Sequence, residues 1–452
     1  MKEEFLHYIW KTGNFSTQHL TTTTGEEITI LHRGYSNPDA GPDFFNCKIM
    51  IGQTLWAGNV EIHNRASEWM AHKHQNDPAY HNVILHVVWE EDEPILDHQQ
   101  KKIPTFLLSE RVNPLLLHHY ERINASMQPI PCSPGWPRIN LSVKDIWLER
   151  MLVERVEYKA ADVIEKIRAS KENWEDVFYA FLCRSMGLKV NAEPFLQLSH
   201  QLPLSILGKH RDHLFQLESL LFGVAGMLDQ EYKDEYPREL YREYSFLRHK
   251  YKLHTMPAGG FKFSRMRPQA FPTLRMAELA MLIHRHPNLF ALVIEAGSRE
   301  EYDDLFAAGT SSYWDSHYRF DDKGVQREKK TGDTLIHTII INAIVPVMFL
   351  YGKYKGDEEM QDKALSLLTV LPAEDHKIIR VWRSIGVTLQ NAADTQGYLH
   401  LYKEYCCEKR CLDCMVGHQL LSGISEPSSV YKTSGTGENE IVEDTFLGEY
   451  FA

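Results

Sequence analysis

Long uninterrupted hydrophobic runs are missing from this chain of 452 residues. The longest, residues 339–350 (IIINAIVPVMFL), is broken by Asn342 and Pro346 and falls short of the roughly 20 apolar residues that a membrane crossing needs. It predicts a buried helix and no membrane partner. The opening residues, MKEEFLHYIWK, introduce acids at once and lack an apolar stretch followed by small residues, so no secretory signal is expected. Cysteine is sparse, 7 in all, and free Cys47 and Cys183 fit a reducing compartment. The expected location is the cytoplasm. Neither GxGxxG nor GxxxxGK occurs, so the glycines of 223–226 (GVAG) read as a close helix contact and not as a phosphate loop. No repeat of fixed period is present.

Excess positive charge is also lacking, since the formal net charge is -12. Glu426, Glu438, Glu440, Glu443, Asp444 and Glu449 against Lys432 put -5 of this in residues 423–452, leaving -7 for the body. The tail is rich in Ser, Gly and Thr, a composition that predicts disorder. A body without a basic footprint can meet nucleic acid only through local patches. Residues 262–275 (KFSRMRPQAFPTLR) form one, where Lys262, Arg265, Arg267 and Arg275 alternate with aromatics and prolines; pairing of these arginines with nearby acids is the competing reading.

Hydrophobic content of 43 % with 24 % charged residues is that of a globular protein, and the length implies two or three domains. Residues 2–10 carry helical spacing at Phe5, Tyr8 and Ile9. Three β-rich runs follow, 27–32, 44–51 and 54–63, separated by turns such as Gly52-Gln53. A helix is expected over 68–75 with Ser67 as N-cap. Residues 82–89 (NVILHVVW) then read as a strand covered on both faces, and 102–108 as one more. The fold class this predicts is an α/β core in the order α-β-β-β-α-β over residues 1–128. A proline-rich connector follows at 129–140. A large, mainly helical domain spans 141–422, with amphipathic helices such as 141–166, and the acidic tail spans 423–452.

The segment 37–63 (NPDAGPDFFNCKIMIGQTLWAGNVEIH) concentrates chemistry. Asp43 opens one strand, and Glu61 and His63, two apart on the next, project from the same face while Val60 and Ile62 bury on the other. Two carboxylates and an imidazole on adjacent strands suit a divalent cation, and oxygen ligands favour Mg2+ or Mn2+. A turn cap at Asp43 and a solvated strand face at Glu61 and His63 is the plain alternative. With this order of elements, Pro42-Asp43 and Glu61-Ile62-His63 resemble the PD-(D/E)XK nuclease superfamily. The resemblance implies a metal-dependent nuclease acting on DNA, with Asp43 and Glu61 as metal ligands and the Ile62 carbonyl a further one. His63 stands where that superfamily has lysine. A neutral imidazole can take a proton from water near neutral pH or bind the metal itself; a core that binds without cutting is the alternative.

His72, His74, Asp77 and His86 lie in the same block. His72-Lys73-His74 with Asp77 bears a distant likeness to the HxHxDH motif of zinc hydrolases, but a helix through these residues would set His72 and His74 about 200° apart. His86, inside an apolar strand, needs a partner: a carboxylate of the site or a backbone carbonyl.

The cysteines gather near the end of the chain, where Cys406, Cys407, Cys411 and Cys414 occupy CCEKRCLDC. Cys-x-x-Cys beside a further Cys is metal-ligand spacing. One of the adjacent pair is expected to point away, leaving Cys406, Cys411 and Cys414 with remote Cys132 around a [4Fe-4S] cluster or Zn2+. The arrangement is similar to the iron-sulfur nucleases of the PD-(D/E)XK superfamily, the AddB and Cas4 kinds, although there the lone cysteine precedes the nuclease motifs. Through GPDF, VEIH, HNVILHVV, RPQAFPTLR, NAIVPVMFLYG and CLDC, the chain also resembles an uncharacterised bacterial family known as a domain of unknown function, which implies no activity.

Overall fold

A computed structural model describes residues 2–169 and 173–422. The acidic tail and Ser170 to Glu172 lie outside the described residues, as do the side chains of 162–169, among them Val163 of the amphipathic pattern. The described residues divide into two compact units, 2–122 with 417–422, and 123–416.

The first unit is built on a mixed sheet. Its strands are β1 (Leu20–Thr21), β2 (Glu27–His32), β3 (Tyr35–Ser36), β4 (Phe44–Ile51), β5 (Thr54–Arg65), β6 (Val83–Glu90) and β7 (Thr105–Leu107), laid side by side as β1-β2-β4-β5-β6-β7 with β3 also on β4. The pairs up to β4 and β5 are antiparallel, and β5, β6 and β7 run parallel. Gly52 turns the β4-β5 hairpin at φ 60°, a conformation that suits glycine. Helix α1 (Glu3–Thr12) buries Phe5, Leu6, Tyr8, Ile9 and Trp10 and ends at Gly13 in the left-handed region. The main strands coincide with the sequence reading to within about two residues. The short edge strands β1 and β3 were not expected.

The helix expected over 68–75 is the main departure in this unit. It survives only as α2 (Glu68–Ala71), because Lys73 turns into the left-handed region at φ 62° and the chain continues as single turns at His74–Asn76 and Pro78–Tyr80. Ser67 does not cap it. Its hydroxyl donates to Asp92 at 2.6 Å and its amide donates to the same carboxylate at 2.9 Å.

The second unit is largely helical around a core that includes Phe178, Leu221, Phe222, Leu279 and Ile344. The expected connector is part of it: residues Ser133–Arg138 form a turn of helix in which Trp136 is buried, its ring 5.2 Å from that of Trp382. Burial of that indole makes 129–140 a packed element and not a spacer. The apolar run forms part of a continuous helix, Asp333–Lys355, 23 residues long and by length and composition able to cross a membrane, with 78 % of its most apolar stretch buried inside the molecule. A π-turn at Ile340–Ile344 carries the helix past Pro346, whose missing N–H an α-helical register would have needed. Gly223 packs directly beneath the Tyr244 ring, where no Cβ would fit, as a close helix contact requires.

Candidate metal centre

Strand register brings the two carboxylates together. Phe44 pairs with Val60, so Asp43, one residue before β4, faces Glu61. The two side chains exchange backbone bonds across the gap: the Ile62 amide donates to Asp43 Oδ2 at 2.8 Å and the Asp43 amide to Glu61 Oε2 at 3.1 Å. Each carboxylate keeps a second oxygen. On the other side of β5, Glu61 pairs with His86 in parallel register. His86 and His63 therefore share its face, and His63 Nδ1 and His86 Nε2 lie 2.8 Å apart. The partner His86 required is thus another imidazole, neither a carboxylate nor a carbonyl.

The left-handed turn at Lys73 completes the cluster. By reversing the chain it sets the His72 and His74 rings 5.3 Å apart, and His63 lies 5.2 Å from the first and 5.3 Å from the second. One ring nitrogen from each of His63, His72 and His74 falls within 4.8 Å of the other two. The angular objection to pairing His72 with His74 assumed a helix that has already ended. Glu61 Oε1 stands 3.4 Å from His74 Nε2 and 3.6 Å from His63 Nε2. Trp69 and Tyr80 wall the cluster, Tyr80 stacking on His74 at 3.8 Å.

A second group adjoins it. Glu3 and His7, four apart on one face of α1, meet Asp43 so that one ligand atom from each lies within 4.8 Å of the others, with His7 Nε2 3.3 Å from Asp43 Oδ2. The sequence reading missed both residues, although the Glu-x-x-x-His spacing was there to be read.

Burial governs the charge state. Glu61 is 4 % exposed, and burial, then the negative charge of Asp43, pushes its carboxyl up to about 9. Burial and then the neighbouring His74 and His72 push His63 down to about 3, and His74 and His86 are also lowered, burial again the first cause. His7 moves up: burial opposes its protonation but Asp43 and Glu3 outweigh it. Neutral imidazoles offer lone pairs, and His74 Nε2 is buried without a hydrogen-bond partner, which a bound cation would satisfy. Nitrogen and oxygen donors together suit Mn2+ or Zn2+ better than Mg2+.

Other nominated residues fall elsewhere. Asp77 caps the Pro78–Tyr80 turn, accepting from the Ala79 amide at 2.9 Å, and is not among the clustered ligands. Lys262, Arg265 and Arg267 are exposed. Arg275 is not a surface cation: it is buried in the helix Pro272–Arg285 and paired with Glu278 at 2.6 Å, since its position on that helix faces the core.

Cys132, Cys406, Cys411 and Cys414 all belong to the second unit and are near enough to influence one another electrostatically, but none of them is in a group of three or more ligand atoms lying within 4.8 Å of one another among the described residues. Burial raises the Cys132, Cys406 and Cys411 thiols, the last to about 12, and each of the six sulfur pairs among the four residues contributes further by mutual repulsion. Cys407 is exposed and lies against the Tyr402 hydroxyl, so it is the member of the adjacent pair that points away.

Neither curated proteins nor solved structures return a match to the chain. The protein family described as a protein of unknown function, DUF2851, matches residues 3–377, a span that contains the whole sheet and every histidine of the cluster, and the chain belongs to that family.

Proposed function

We propose that the first unit is a divalent-metal-dependent phosphodiesterase core acting on DNA. The observation that carries this reading is the meeting of Asp43 and Glu61 across β4 and β5 beside three imidazoles. The order α1, β2, β4, β5, α2, β6, with an acid ahead of β4 and Glu-Ile-His on β5, supports the resemblance to PD-(D/E)XK nucleases. Glu61, His63, His72 and His74 would hold one cation, and Asp43 with Glu3 and His7 is placed to hold a second, with Glu61 between them. A divalent cation there supplies charge to phosphoryl oxygens and lowers the pKa of a bound water.

His63 is read as a ligand and not as a stand-in for a lysine base. It is 2 % exposed, its Nδ1 is engaged by His86, and only Nε2 is left to face the cluster. His86 then holds the ring in place as an outer partner. His72 is exposed and marks the side from which a substrate enters. Lys262, Arg265 and Arg267 are the cations proposed to contact phosphate.

The test is cleavage of single-stranded, duplex and branched DNA by the full chain with Mg2+, Mn2+ or Zn2+, alongside Glu61→Ala. Cleavage by the wild type that is stronger with Mn2+ than with Mg2+, and lost by at least about a hundredfold in Glu61→Ala, is the expected result. Silence of the wild type on all substrates with all three ions sinks the nuclease reading and leaves a binding module. The three-histidine group also favours a second reading, a zinc hydrolase of another bond. Zinc-dependent turnover of an ester or amide with no DNA cleavage would establish it.

A further inference from the structure

A cavity of about 290 Å3 opens in the second unit and uses none of the residues of the metal centre. The turn after the helix Leu214–Val224, the loop 258–263, and the hairpin of His317–Arg319 with Asp322–Lys323 build most of it. Its size is near the lower end of small-molecule sites, about 300 Å3, which suits one flat ring system with a short arm. Aromatic side chains provide the walls. Phe261 is buried edge-on to Phe195 with ring centroids 5.3 Å apart, and Tyr232 meets Phe320 edge-on at 5.1 Å. Phe263 and Phe320 are half-buried, so ring surface is left for a stacking partner. The loop is fixed before any ligand arrives: Asn191 Nδ2 donates to the Lys262 carbonyl at 2.9 Å, and Asn191 Oδ1 accepts from the Lys262 amide at 2.8 Å.

Polar groups define the rest of the ligand. The Arg319 guanidinium lies 4.6 Å from the Phe263 ring centroid and 4.5 Å from that of Phe271, and among the described residues it is paired with no carboxylate. A cation held against two rings without a counter-ion is a ready partner for phosphate. Asp229 and Gln230, also in the lining, offer hydrogen bonds to the edge of a base. Lys262 lies between two lining residues, and Arg265 and Arg267 follow on the same exposed loop. We propose that the cavity receives one unpaired base of a single-stranded DNA segment, its ring on Phe263 and Phe320 and its phosphate on Arg319. Further phosphates of the strand meet Lys262, Arg265 and Arg267, a role that rests on the reading of these cations as DNA contacts. Interleaved rings and cations hold single strands by stacking the bases and neutralising the backbone. A base inside a duplex has both faces stacked and its pairing edge occupied, so the cavity selects unpaired segments.

The test uses the full chain, with chelator present so that nothing is cut, and a single-stranded oligonucleotide carrying 2-aminopurine. Binding is expected to change the 2-aminopurine emission as that base leaves its neighbours and stacks on the protein, with no such change when it is paired in a duplex. Arg319→Gln and Ala258→Leu, both at exposed positions in the lining, are each expected to weaken strand binding at least about tenfold, without moving the urea midpoint of the second unit. Adenosine monophosphate, which lacks the further phosphates, is expected to compete at least about a hundredfold less well than the strand. Absence of strand binding by the wild type, or equal binding by the wild type and both variants, overturns the proposal. So does a mononucleotide that binds as tightly as the strand, which would make the cavity a site for a free nucleotide. No cleavage is read, so a silent metal core leaves this result untouched, and DNA cleavage by the wild type with unchanged binding in both variants removes the base pocket alone.

Discussion

At the residue scale, Glu61 is the group whose state couples everything else. In the metal-free protein its carboxyl titrates near 9 instead of the usual 4.5, so between these values the folded chain holds a proton that the unfolded chain has released. Stability must then fall as pH rises through this window. Glu61→Gln removes the titration while keeping the shape. With chelator present, unfolding midpoints at about pH 5.5 and about pH 8.5 should therefore differ more in the wild type than in Glu61→Gln. His7, also raised, contributes a slope of the same sign to both proteins, so the comparison isolates Glu61. Equal slopes would show that Glu61 is ionised in the metal-free fold.

At the scale of elements, the short turn after α2 does what no single residue does. His72 and His74 meet because Lys73 adopts φ 62°, a conformation that costs a side-chain-bearing residue about 1 kcal/mol or more and glycine almost nothing. Lys73→Gly should keep metal affinity and add stability of about 1 kcal/mol. Lys73→Pro, with φ locked near about −65°, should separate the rings and lower Mn2+ or Zn2+ affinity at least tenfold by titration calorimetry. Unchanged affinity in the proline variant would remove His72 or His74 from the ligand set. This turn was also the least legible element in the sequence. Glu68, Trp69 and Met70 begin a helical pattern, and nothing in His-Lys-His-Gln announces that a lysine will turn left-handed. The strands were easier, since β-rich runs bounded by glycine and proline carry their own period.

At the scale of the whole molecule, the helix Asp333–Lys355 decides how the second unit is filled. Ile344 is 0 % exposed at its π-turn, so Ile344→Ala should cost about 2–5 kcal/mol, read from the shift of the second unit's urea transition. A cost under about 1 kcal/mol would mean that this helix is not packed as described. The same burial explains why an apolar stretch long enough for a membrane can serve as a core: its neighbours in the unit supply the apolar surroundings that lipid otherwise would.

By itself the sequence determined the first helix, the three strands and the parallel strand of the first unit, and the pairing of Asp43 with Glu61, because these follow from periodicity, local turns and spacing. Only the tertiary structure decided the rest. Arg275 turned inward because a helix face met a core, and Glu3 and His7 reached Asp43 because α1 packs beside β5. Histidines on three elements became one cluster because a left-handed turn lies between two of them. Distances across a fold depend on register and on chain reversals, and neither is written in the residue types that come together.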